Sequence, residues 1–245
     1  MHLAADLHLH TVASGHGYST INEYVRAAKK KGIKMIAITD HGPALPGGPD
    51  ISYFGYLYIL PKIEEDVHIL VGVEANILDT KGSLDMPERY LEKLDIVLAG
   101  FHPPCYQDRG VVENTRAMIN VIKNPLVDVI VHPGNPAFPI DIKDVVSAAK
   151  EYGCLLEINN TSLSGGARKG SRSNCFAIAK ALAEEKMLLS AGSDAHYVDR
   201  LGCFDDVLKL LKDAGVSEEQ VLNTSTDKVI NYLKSRGKLK RFQEE

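Results

Sequence analysis

The chain has 245 residues, 44% of them hydrophobic, and a formal net charge of −4. The apolar fraction suffices for a sizeable core, and the length suits one large α/β domain. The negative balance disfavours a protein whose whole surface grips nucleic acid. No apolar run reaches the roughly 18 residues of a membrane span, and the first residues lack the basic-then-apolar order of a signal peptide.

In chain order, a first strand is expected over residues 3–7, running into Asp6-Leu7-His8-Leu9-His10, with His16 in the loop beyond. Ser19-Thr20 start a helix over 21–31, which Gly32 ends. Strand two, 35–39, leads into Thr39-Asp40-His41-Gly42 and a Pro/Gly segment, 42–50, that forms part of a rim or only a connection. A helix over 54–65 precedes strand three, 69–73, which ends in Gly72-Val73-Glu74. Residues 76–84 read as a short hairpin around Lys81-Gly82, and 87–93 as a brief helix. Strand four, 96–99, ends in Gly100-Phe101-His102, and strand five, 129–131, in Val131-His132-Pro133-Gly134. Strand six, 155–158, carries Glu157, Asn159 and Asn160, and strand seven, 188–191, ends in Gly192-Ser193-Asp194-Ala195-His196. Helices fill the gaps at 112–123, 142–152, 174–185 and 204–214, and the tail adds 217–222 and 226–235.

The strands are mostly Ile, Val and Leu without polar alternation, as in parallel strands buried on both faces. Alternating β and α elements predict a parallel sheet. Seven units at this length favour a closed or nearly closed barrel, in which the C-terminal strand ends converge on one face. Seven of the nine histidines, with Glu74 and Asp194, fall in motifs at those ends. Imidazole is the commonest metal ligand, and nine N/O donors are too many for one ion. A multinuclear metal site and metal-assisted hydrolysis follow. His8 and His10, two apart on a strand, face one way and can chelate one ion. His2 and His68 are expected to be structural or exposed.

The motif order D-L-H-L-H, T-D-H-G, G-V-E, G-F-H, H-P-G and G-S-D-A-H resembles the polymerase and histidinol phosphatase (PHP) superfamily, closest to its compact stand-alone bacterial phosphatases. The resemblance implies a distorted (β/α)7 TIM-like barrel, one catalytic domain over 1–245, and three metal ions. Zinc is expected, with manganese or iron as alternatives. It implies that His8, His10, Glu74 and Asp194 hold one ion. His102 and His132 would hold a second, sharing Glu74, and His16, His41 and His196 a third. All nine positions carry a suitable ligand here.

The implied reaction is hydrolysis of a small phosphomonoester by a metal-activated hydroxide, with Asp194 and His196 at the reacting centre. A phosphodiesterase or nuclease of the same superfamily is one alternative. An amidohydrolase-like C–N hydrolase is another, although no lysine stands at the end of strand four. Asp6 and Asp40 precede ligands and are expected to accept a histidine N–H from behind. Arg168, with Lys169 and Arg172 in the Gly/Ser-rich loop 162–173, offers a forked donor for phosphate. The four cysteines, Cys105, Cys154, Cys175 and Cys203, are scattered and read as reduced thiols of a cytoplasmic protein. A small phosphorylated substrate is the expected partner, with no membrane and no nucleic acid, and homo-oligomerisation stays open.

Overall fold

The computed structural model describes residues 1–166 and 168–242. Its strands are β1 (Ala5–Leu9), β2 (Met35–Ile38), β3 (Ile63–Glu64), β4 (Val67–Asn76), β5 (Ile96–Gly100), β6 (Val129–Ile130), β7 (Leu155–Asn159) and β8 (Ser190–Gly192). Seven of them form a parallel sheet in the order β1-β2-β4-β5-β6-β7-β8, with β3 added antiparallel to β4. The helices are α1 (Ile21–Lys31), α2 (Ile51–Tyr56), α3 (Glu88–Leu91), α4 (Gly110–Ile122), α5 (Ile142–Tyr152), α6 (Ser171–Glu184), α7 (Asp205–Asp213) and α8 (Thr226–Ser235). The sheet curls into a nearly closed, distorted TIM-like barrel, as expected.

Two apolar layers hold it. Inside, Leu7, Met35, Leu70, Leu98 and Val129 pack together, and Val229 and Leu233 of α8 close the bottom. Outside, residues such as Val73, Val97, Ile130 and Ile158 pack against α4, α5 and α6. The strands are therefore apolar on both faces up to their C-terminal ends, where the interior turns polar. Helix α1 starts as its sequence predicts: Thr20 Oγ1 accepts from Glu23 N–H while Glu23 accepts from Thr20 N–H, a capping box, and Gly32 ends the helix at φ 75°.

The helix expected over 54–65 is broken. It stops at Tyr56, passes through a 3-10 turn, Leu57–Ile59, and gives way to β3. Pro61 explains the break, because it has no N–H for a helical bond and its ring clashes with the preceding turn. Glu65 and Asp66, both at positive φ (53° and 65°), then form a two-residue hairpin into β4.

The barrel does not close by a ladder between β1 and β8. A single parallel bridge, Leu9–Ala195, spans that seam. Below it the buried side chain of Asn223 does the joining. Its Oδ1 accepts from Ala191 N–H at 2.8 Å, and its Nδ2 donates to Ala5 O at 3.1 Å. Asn223→Ala should orphan both backbone groups in a dry seam. At about 1–2 kcal/mol per unsatisfied group, the expected loss is roughly 2–4 kcal/mol, read as a lower urea midpoint with an unchanged slope.

Candidate metal centre

The ligand-type side chains reach the barrel mouth through backbone irregularities. Strand β1 pairs Ala5 with Met35 and Asp6 with Ile36, then slips so that Leu9 pairs with Ile38. Leu9, Ile36 and Ile38 pack outward against Tyr24 and Val25 of α1, while Leu7 packs inside. The slip therefore turns His8 and His10 into the barrel directly after inward-facing Leu7, as bulges near functional sites do. His132 (φ 36°) and Asp194 (φ 56°) lie in the left-handed region, costly for side-chain-bearing residues and concentrated at functional sites. Gly100 makes room at the mouth: a Cβ there would stand 2.7 Å from His132 Cε1.

At the centre lies Glu74, fully buried. Its Oε2 is 3.4 Å from His8 Nε2, 3.2 Å from His10 Nε2 and 2.8 Å from His41 Nδ1. Its Oε1 is 3.1 Å from His102 Nε2 and 2.7 Å from His132 Nε2. Asp194 Oδ1 sits 3.3 Å from His10 Nε2 and 3.4 Å from His196 Nδ1. The His16 ring stacks beside those of His41 and His196, with centroids 5.0 and 4.7 Å away. All nine expected residues are thus gathered in one place. Among the described residues, ligand atoms lie within 4.8 Å of one another in His8/His10/Asp194, His41/Glu74/His102 and His10/His41/His196. The first matches the expected grouping, and the other two cut across it.

Outer partners fix the tautomers. Glu157 Oε1 lies 2.7 Å from His8 Nδ1 and can only accept, so Nδ1 carries the proton and Nε2 offers its lone pair inward. Ser14 Oγ donates to Asp40 at 2.6 Å and so accepts from His10 Nδ1–H at 3.1 Å, aiming His10 Nε2 the same way. These arrangements correct the roles expected of Asp6 and Asp40. Asp6 faces outward before the slip and accepts from Ser193 and Gly202 N–H. Asp40 accepts from Thr11 N–H, Ser14 Oγ and Tyr53 OH, reaching His10 only through Ser14. The carboxylate behind a histidine is Glu157, at a level the strand-six motif marked. No spacing rule pointed to Ser14.

The electrostatics are compatible with bound cations. Burial pushes the Glu74 carboxyl up, but His102, His41 and His8 outweigh it and hold it well below the usual range. Asp194 is likewise raised by burial and held well down by Arg168, His8 and His10. Burial pulls His41 down to about 2, and His132 and His196 to about 4, leaving them neutral. His8 and His10 go the other way: burial lowers both, but Glu157, Glu74 and Asp194 together raise His8 well above its ordinary value, and Asp194 and Glu74 raise His10. Three carboxylates around one imidazole create a demand for positive charge at that point. His41 Nδ1 and Glu74 Oε2 are close, yet neither has a well-aligned hydrogen-bond partner, nor has buried His102 Nδ1. Lone pairs that converge on shared space instead of on donors fit metal ions.

A cavity of about 720 Å³ opens above the cluster. Leu45 and Pro46 of the 42–50 segment form part of its rim, with Pro103 and Pro104 opposite His196 and Arg168. The guanidinium of Arg168 contacts Asp194 Oδ2, while its Nε donates to Ser162 Oγ at 2.9 Å. Arg172 turns away to pair with Asp206 at 2.8 Å. No helix among the described residues is long and apolar enough to cross a membrane.

A parallel β/α barrel with imidazoles and carboxylates gathered at its strand ends belongs to the class of barrels built around a catalytic mouth. The PHP domain family matches residues 6–162, and the chain belongs to that family. It is 52% identical over 237 residues, 96% of each chain, to a probable phosphatase of Thermoanaerobacter sp. (strain X514). It is 48% identical over 233 residues, 95% of each, to one of Proteus mirabilis (strain HI4320). These relatives place it among the phosphoric ester hydrolases. A similar fold, at TM-score 0.62 and 15% identity over 89% of this chain and 95% of the other, occurs in histidinol phosphate phosphatase of Lactococcus lactis, a crystal structure with zinc, L-histidinol and phosphate.

Glu74→Ala should lower tightly bound metal by at least one ion per chain in elemental analysis, with the far-ultraviolet circular dichroism of a folded barrel retained.

Proposed function

We propose that the protein is a metal-dependent phosphatase acting on a small phosphomonoester at a trinuclear site. The observation that carries this reading is the Glu74 carboxylate, buried among five inward-facing histidines with one oxygen lacking any aligned donor. His8, His10, Glu74 and Asp194 would hold one ion, Glu74, His102 and His132 a second, and His16, His41 and His196 a third. The all-imidazole-and-carboxylate donor set suits zinc, with manganese or iron as alternatives. When bound, such ions supply a hydroxide nucleophile at neutral pH and neutralise phosphoryl oxygens.

The chain's own residues provide the rest. Arg168 stands in the cavity wall beside Asp194, where its planar fork matches two phosphoryl oxygens. Asn159 steadies it: the Asn159 Oδ1 accepts from Ser162 N–H at 2.9 Å, and Ser162 Oγ in turn accepts from Arg168 Nε. Glu157 keeps His8 in the ligating tautomer while accepting from His132 N–H at 2.9 Å, so one carboxylate aligns two strand ends. The rim of Leu45, Pro46, Pro103 and Pro104 restricts water around the reacting group. A bounded cavity of this size suits a small molecule better than a polymer strand. Among the described residues the cavity lining holds no lysine, which disfavours the C–N hydrolase alternative.

Metal-quantified protein should hydrolyse an aryl phosphomonoester and not its diester analogue. Asp194→Asn should lose at least about a hundredfold in kcat. Diester preference would instead support the nuclease alternative. Arg168→Ala should raise KM for the monoester by about tenfold with metal content retained. An unchanged KM would remove Arg168 from phosphate binding.

A further inference from the structure

One wall of the mouth cavity takes no part in holding metal or phosphate. It is formed by Tyr18, Tyr197 and Arg200, which line the same space as His16, His196 and Arg168. Tyr18 and Tyr197 are 74% and 48% exposed, large rings presented to solvent beside a polar floor.

The wall is firmly built. Tyr18 N–H donates to His196 O at 2.7 Å, and Val198 N–H to Ser19 Oγ at 2.9 Å, stitching the loop after β1 to the loop after β8. Arg200 ends the 3-10 turn Val198–Arg200. Lys31 Nζ clamps that turn by donating to Asp199 O at 2.9 Å and Leu201 O at 2.8 Å. On its far side Asp6 Oδ2 accepts from Gly202 N–H at 2.9 Å, and Leu201 is fully buried. A backbone pinned on both sides holds its side chains at the cavity edge at little entropic cost.

The Arg200 guanidinium nevertheless has no hydrogen-bond or ion-pair partner among the described residues. The carboxylate in the cavity lining is Asp194, and it is engaged by Arg168. Arg200 is therefore uncompensated positive charge facing the room left above the floor. Within about 720 Å³, a range of volume that accommodates drug-sized ligands, a phosphoryl group fills only part.

We propose that Tyr18, Tyr197 and Arg200 form a second anion subsite. The substrate's leaving group carries a carboxylate or a second phosphate that pairs with Arg200, and its apolar body rests on the tyrosine rings. This rests on the phosphatase reading only for which end of the substrate reacts.

Binding separates the two ideas. Calorimetric Kd values on metal-replete protein should be compared for phenylphosphonate, para-carboxyphenylphosphonate and para-phenylene bisphosphonate, none of which can be hydrolysed. The second anion should tighten binding by about tenfold or more. In Arg200→Ala that ratio should collapse to about one, and Arg200→Lys should restore part of it. A ratio is unmoved by a general loosening of the site. The tighter-binding of the two probes with a second anionic group assigns carboxylate or phosphate. Equal affinity for the single- and double-anion probes in the wild type, or a ratio that survives in Arg200→Ala, would overturn the subsite. If phenyl phosphate is not turned over but the ratio behaves as expected, the phosphatase reading fails and the subsite stands.

Discussion

Everything at the barrel mouth depends on burying the Glu74 carboxylate in an ionised state. A lone buried carboxylate is costly, and proteins normally neutralise it or supply donors. Here the surroundings are imidazoles from four different strand ends: His8 and His10 from β1, His41 from β2, His102 from β5 and His132 from β6. Burial holds His41 and His132 neutral, and the outer partners of His8 and His10 turn their Nε2 atoms inward. A cluster of that kind could hold cations, and the surrounding hydrogen bonds keep its donor atoms turned inward.

Those surroundings act in layers. Glu157 and Ser14 set the tautomers of His8 and His10. Asp40 gathers Thr11, Ser14 and Tyr53, and thus positions the loop that carries His16. Tyr24 OH lies 2.9 Å from both His10 O and Ala195 O, tying the first and last ligand motifs to the core helix α1. Asp6, freed from any imidazole, anchors the turn that bears Arg200. Two aspartates that look alike in sequence therefore support two different loops of the cavity, Asp40 the one after β1 and Asp6 the one after β8.

The fold was largely legible because parallel strands buried on both faces leave an unmistakable apolar record, and because Thr20, Glu23 and Gly32 spell out the ends of α1 locally. The gathering of the seven histidines with Glu74 and Asp194 was legible for the same reason: in a barrel, strand ends meet whatever their separation in sequence. Irregular geometry was not legible. The slip between Asp6 and Leu9, the left-handed turns at His132 and Asp194, and the hairpin at Glu65-Asp66 are set by packing between distant strands, and local residue preferences do not record them. Asp6 was misread for this reason: pointing away from the neighbouring ligand, it was expected to back a histidine N–H, and it accepts instead from Ser193 and Gly202 N–H. The helix that ended at Tyr56 could have been read from Pro61 alone. Arg200 and Tyr197 carried no signal beyond standing just after the D-A-H motif.

The incomplete seam between β1 and β8 gives the site a mechanical meaning. His8 and His10 stand on one side of it, Asp194 and His196 on the other, and between them the backbone contributes one bridge, with the side chains of Asn223, Asp6 and Tyr24 making the other ties. Any ion shared across that line is a clasp on the barrel's weakest edge. Loss of the ion and parting of the edge then become one linked equilibrium, so the apoprotein should breathe first at this edge, and amide exchange there should report metal occupancy before any global unfolding does.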